Sequence, residues 1–72
     1  MKEVTLTLTE GYKENWYRIY LDGKQEKCVL YYTNDSAETK EKAKQEALEA
    51  FEEVKWSIAN PSITKILLKE II

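Results

Sequence analysis

The chain has 72 residues, 43% of them hydrophobic and 33% charged, with a formal charge of −2. A single domain of this size buries roughly 60% of the surface its unfolded form exposes, which leaves no room for an enclosed active site, and its apolar content is too high for a disordered segment. With one cysteine, Cys28, and no histidine, the sequence offers no internal disulfide, no zinc site of the usual ligand types and no Ser/His or Cys/His catalytic arrangement.

The carboxylates are spread along a solvated helix and in turns, without a pocket to raise a pKa, so no catalytic residue, cofactor or metal is expected and the protein reads as a non-enzymatic domain. No apolar run approaches the roughly 20 residues of a membrane span and the N-terminus has no signal-peptide core, so the expectation is a cytoplasmic protein with no membrane partner. Segment 36–58 holds six acids and four bases, and the remainder holds seven of each. A non-specific polyanion binder would carry a basic excess that this balance lacks.

Residues 3–9 alternate Val4, Leu6 and Leu8 against Thr5, Thr7 and Thr9, the pattern of a half-buried strand. A turn over 10–15 leads to a second strand at 15–21 and a third at 26–33, both rich in aromatic and branched residues. Between them Asp22-Gly23 is the dipeptide most favoured for a two-residue hairpin turn with positive φ at both positions. Counting outward from that turn sets Arg18 opposite Lys27, Tyr17 opposite Cys28 and Trp16 opposite Val29. On that register Tyr17, Ile19, Leu21, Cys28, Leu30 and Tyr32 form the core side, and Trp16, Arg18, Tyr20, Lys27, Val29 and Tyr31 the outer side. A three-residue loop with a bulge would flip one strand relative to the other.

Asp35 with Glu38, or Ser36 with Thr39, provides the helix cap. From Ala37 to about Ile58 the apolar period becomes 3.6, with Ala43, Ala47, Ala50, Phe51, Val54 and Ile58 in one stripe and Trp56 off it, placed to cover a sheet edge. Asn60-Pro61 stops the helix. Residues 63–71 read as a last strand, with Ile66 and Leu68 inward and Lys65, Leu67 and Lys69 outward. A strand reached through a helical crossover runs parallel to the one it joins, beside either the first or the third strand. The expected architecture is a single α+β domain over residues 1–72, in the order β-β-β-α-β, with a mainly antiparallel four-stranded sheet and one helix packed on one face.

The outer face gathers Trp16, Arg18, Tyr20, Lys27 and Tyr31, and these are the candidate binding residues. Trp, Tyr and Arg dominate energetic hot spots of protein interfaces. A protein partner of inhibitor or adaptor type is therefore the leading reading, with Arg18 and Lys27 meeting carboxylates and Thr5, Thr7, Lys65 and Lys69 extending the footprint. Like charges facing each other at Arg18 and Lys27 would cost something like 0.2–1 kcal/mol, a strain that a ligand could relieve. The face could also close a homodimer. Cys28 reads as a small core hydrophobe.

The run Asn15-Trp16-Tyr17-Arg18-Ile19-Tyr20-Leu21-Asp22-Gly23-Lys24-Gln25, a following strand and an acid- and lysine-rich helix resemble, over residues 15–57, the N-terminal arm-type DNA-binding domains of phage and transposon integrases. That resemblance implies a three-stranded sheet laid on DNA with a helix behind it, and Trp16, Arg18, Tyr20 and Lys27 as the DNA-facing positions. A third reading comes from regularity. The alternating threonine strand, tight turn, capped helix and Asn-Pro stop agree with idealised design rules, as in a designed scaffold with no natural ligand.

Overall fold

A computed structural model describes residues 2–58 and 63–71, the side chains of 63 and 67–71 excepted. Four strands, β1 (Glu3–Glu10), β2 (Glu14–Leu21), β3 (Lys24–Tyr32) and β4 (Ile63–Ile71), and one helix, α1 (Ala37–Trp56), follow the expected β-β-β-α-β order. The sheet order is β3-β2-β1-β4. β1 pairs antiparallel with β2, β2 antiparallel with β3, and β4 parallel with β1, which settles that the last strand joins the first and not the third. The result is an α+β domain with a mostly antiparallel sheet.

Strict alternation in β1 does what it predicts: Val4, Leu6 and Leu8 are buried beneath α1 together with Tyr17 and Ile19 of β2. From the helix come Ala43, Ala47, Phe51 and Val54. The small alanines let the N-terminal half of α1 lie close to the sheet, and Phe51 and Val54 fill the wider gap further along. The helix packs on β3, β2 and β1. Ser36 is its N-cap: the Ser36 hydroxyl accepts from the Thr39 amide at 3.2 Å. This satisfies one of the amides that a helix start leaves without a partner. Asp35 is engaged elsewhere, its carboxylate accepting from the Tyr32 amide at 2.7 Å.

At the other end α1 stops at Trp56, two residues before the expected Ile58, with Ser57 as C-cap. The Asn60-Pro61 stop lies outside the described residues. Among the described residues Trp56 covers no sheet edge. It is 77% exposed, its indole donating to Glu52 at 2.9 Å on the outer side of the helix.

The hairpin holds the main correction. Asp22 and Gly23 adopt φ of 50° and 82°, as the turn requires, and Leu21 pairs with Lys24 and Tyr20 with Gln25. Ile19 then pairs with Lys27, not with Glu26. Glu26 is an extra residue, a β-bulge that reverses the parity of everything after it. The expected pairs are all displaced by one: Arg18 faces Cys28, Tyr17 faces Val29 and Trp16 faces Leu30.

Lys27, Val29 and Tyr31 therefore lie on the helix side, and Cys28, Leu30 and Tyr32 on the other, opposite to expectation. Val29 and Tyr31 pack against the core and Cys28 is exposed. The physical reason is local. Residues 28–32 are apolar on both faces, so alternation there does not choose a register. Contacts with the helix side do: Tyr31 meets Tyr17 with ring centroids 5.7 Å apart, and Lys27 forms an ion pair with Glu53 of α1.

Candidate functional site

With α1 on one side, no described element covers the opposite face of the sheet. Its middle strand is β2, which carries Glu14, Trp16, Arg18 and Tyr20. In register on one flank are Tyr32, Leu30, Cys28 and Gln25 of β3, and on the other Thr9, Thr7 and Thr5 of β1. Lys65 of β4 pairs with Thr5 and extends the face, as expected. The side chain of Lys69 lies outside the described residues.

Arg18 and Trp16 are two apart on one strand and so point the same way. The Arg18 guanidinium carbon sits 5.4 Å from the centre of the Trp16 ring, and the Arg18 Nη1 donates to Thr9 Oγ1 at 3.4 Å. Such a stack contributes about 0.5–1 kcal/mol at an exposed site. It also holds a long, flexible side chain flat on the sheet and closes over Thr9, which is only 7% exposed. Arg18 and Trp16 are both half-buried. The guanidinium remains a planar donor whose described partner is one hydroxyl.

At the upper end the face continues into a shallow recess lined by Thr9, Gly11, Tyr12, Lys13, Glu14, Trp16 and Arg18. Tyr12, in the β1–β2 turn, is 89% exposed. At the lower end Lys65 and Glu3 approach to 3.4 Å, and Glu3 also accepts from Thr5 Oγ1. Among the described side chains the face and its recess thus carry three cations, Lys13, Arg18 and Lys65, against two acids, Glu3 and Glu14.

Of the five predicted site residues, the structure brings Trp16, Arg18 and Tyr20 together and removes two. Lys27 is turned under the sheet to Glu53, so the expected like-charge strain against Arg18 does not arise. Tyr31 is half-buried against the core, where burial and the Glu10 carboxylate raise its pKa above the usual 10.0. In their place come Cys28, Leu30 and Tyr32, which make the face more apolar than predicted. A signal for the bulge exists in the sequence: Lys24-Gln25-Glu26-Lys27 is four polar residues in a row, where a regular strand would alternate.

Among the described residues no group of three or more His, Cys, Asp or Glu is placed to hold a metal, and no helix is long and apolar enough to cross a membrane. No family model, curated protein or solved structure matches the chain. Fold and surface together define a small α+β domain with one sheet face open and an aromatic and arginine cluster at the centre of that face.

Proposed function

We propose that this is a non-enzymatic binding domain that engages a protein partner through the open sheet face, with Trp16, Arg18 and Tyr20 at the centre and Leu30, Cys28 and Tyr32 along its β3 side. The observation that carries the reading is the Arg18–Trp16 stack on an uncovered sheet. Stacking fixes the guanidinium before any partner arrives, so little side-chain entropy is left to lose on binding. A large aromatic ring beside a pre-positioned arginine is the composition that dominates interface energetics, and the apolar row of Cys28, Leu30 and Tyr32 on the β3 side supplies surrounding contact that excludes water.

Affinity capture with the wild-type chain and with a Trp16→Ala, Arg18→Glu variant tests it. A protein retained by the first and lost by the second supports the reading, and identical retention by both removes it. DNA binding of the integrase arm type is the rival. That reading keeps Trp16, Arg18 and Tyr20 but loses Lys27 to Glu53, and the three described cations of the face and its recess, Lys13, Arg18 and Lys65, stand against two acids, a small excess for a polyanion binder. Duplex DNA retained in a salt-sensitive way, and released by Arg18→Glu, would replace the protein partner with nucleic acid.

A further inference from the structure

We infer that the outer edge of β3 takes up an extended, basic segment of a partner protein, which adds to the sheet as an antiparallel strand opposite residues 27–31. The inference goes beyond the open-face reading. It concerns the edge of the sheet, and either can hold without the other.

Hydrogen bonding along β3 shows which groups are available. β3 ends the sheet, with β2 as its neighbour on one side. Bonded and non-bonded pairs alternate along an antiparallel ladder. The Thr33 amide donates to the Lys13 carbonyl at 2.9 Å, one pair beyond Glu14 and Tyr32. Counting back, Tyr31 and Val29 bond to β2, whereas Tyr32, Leu30 and Cys28 turn their amides and carbonyls off the edge. Tyr32 bears this out: its amide donates to the Asp35 carboxylate at 2.7 Å, and its carbonyl accepts from the Asp35 amide at 3.0 Å. Those bonds close the upper end, and the bulge at Glu26 breaks the ladder at the lower end. Between them the amides and carbonyls of Cys28 and Leu30 meet no partner among the described residues. Such a gap is a template for strand addition, in which main-chain bonds give affinity and alternate side chains give specificity.

Charge chooses the occupant. Glu53 of α1 meets Lys27, which sets that side of the helix toward the β3 edge. Glu49 and Glu46, four and seven residues earlier, share the side, as does Lys42. The helix starts just past Tyr32 and runs back along β3. At about 1.5 Å per helical residue against roughly 3.3 Å per strand residue, Glu49 and Glu46 come level with Cys28 and Leu30. Glu26 and Asp35 add acid at the two ends of the gap, and Lys24, Lys27 and Lys42 stand against these five carboxylates. A second copy would set this acidic row against its own image, and nucleic acid would be repelled by it. A strand with cations on its helix side is attracted.

Face parity then sets the pattern of the partner segment. Its residues opposite Cys28 and Leu30 stand with them on the open face and are apolar. Those opposite Val29 and Tyr31 stand on the helix side, near Glu49 and Glu46, and are lysine or arginine.

Fluorescence anisotropy of a labelled five-residue peptide, lysine-valine-lysine-valine-threonine with both ends blocked, tests this. The wild-type chain is expected to bind it saturably below millimolar concentration. N-methylation of the two valine amides, which point at β3 in the antiparallel pairing, is expected to weaken binding at least tenfold. N-methylation of the two lysine amides is expected to leave it within threefold. Glu46→Lys combined with Glu49→Lys is expected to weaken binding at least tenfold, and Glu52→Lys, on the far side of the helix, by less than threefold. Leu30→Pro removes an outward amide that β2 does not use and is expected to abolish binding. Cys28→Pro replaces it should Leu30→Pro fail to fold, as judged by circular dichroism.

No saturation up to millimolar concentration overturns the inference, as does equal binding of the two methylated peptides. Binding that survives the double charge reversal, or that a folded proline variant retains, overturns it too. None of these readouts uses Trp16 or Arg18, so failure of the edge and failure of the open-face reading are told apart.

Discussion

Lys27 on β3 and Glu53 on α1 form an ion pair that ties the edge strand to the helix, and it exists only because Glu26 is an extra residue in the ladder opposite Ile19. Without the bulge Lys27 would point away from the helix, toward Arg18. The pair is open to water, with 43% and 65% of the two side chains exposed. Its stabilising effect is accordingly small. A double-mutant cycle of Lys27→Ala and Glu53→Ala is expected to give a coupling below about 1 kcal/mol that shrinks further in high salt. A coupling of several kcal/mol would show that the pair, and not the packing of Val29 and Tyr31, holds the register.

Deleting Glu26 tests the register itself. A regular ladder would then turn Val29 and Tyr31 out and Cys28 and Leu30 in, losing the Tyr17–Tyr31 ring contact. Either the strand adopts that misfit or it pulls the turn out of shape to keep its faces. Both routes are expected to destabilise the domain by more than about 2 kcal/mol, the scale of a disrupted core contact. Urea unfolding with an unchanged midpoint would be incompatible with the bulge.

Cys28 is on the exposed side of the edge strand. At low micromolar concentration the native protein is expected to react completely with a thiol reagent, at a rate close to that of a small free thiol. Protection lifted only by denaturant at that dilution would place the sulfur inside, on the helix side of the sheet.

Tyr17 and Tyr31 link stability to alkaline pH. Burial is the largest cause raising the Tyr17 pKa above 10.0, followed by Tyr31, Glu41 and Glu10, and burial with Glu10 raises that of Tyr31. A phenol whose folded pKa exceeds its unfolded one keeps its proton in the native state after the unfolded chain has lost it. The stability it contributes is therefore complete below pH about 10 and declines as pH rises through the folded pKa. Thermal unfolding is expected to show a level midpoint up to about pH 10 and a fall above it. Tyr17→Phe should flatten that fall.

The core should respond most strongly of all. Ile19 and Leu6 are almost fully enclosed between sheet and helix. Ile19→Ala is expected to cost about 2–5 kcal/mol, a large share of the stability of a 72-residue domain. Calorimetry showing a loss under about 1 kcal/mol would mean that the site is not enclosed.

Local pattern by itself determined the succession of elements. The period of two in β1, the Asp22-Gly23 turn, the cap at residues 35–36 and the period of 3.6 through the helix are short-range properties, each encoded within a few residues of where it acts. Three residues of the candidate site, Trp16, Arg18 and Tyr20, were legible for the same reason: they precede the turn on a strand whose inward Tyr17, Ile19 and Leu21 alternate without interruption.

Only the tertiary structure decided which way β3 faces and where β4 joins. Cys28 to Tyr32 is apolar at every position, so either face could go inward, and the choice fell to Glu53, Tyr17 and the helix above them, far away in sequence. The place of β4 beside β1 was equally out of reach, because both candidate neighbours offered an open ladder. Which one a returning strand finds depends on where the helix crosses the sheet, and that is a property of the assembled layers, absent from any single segment.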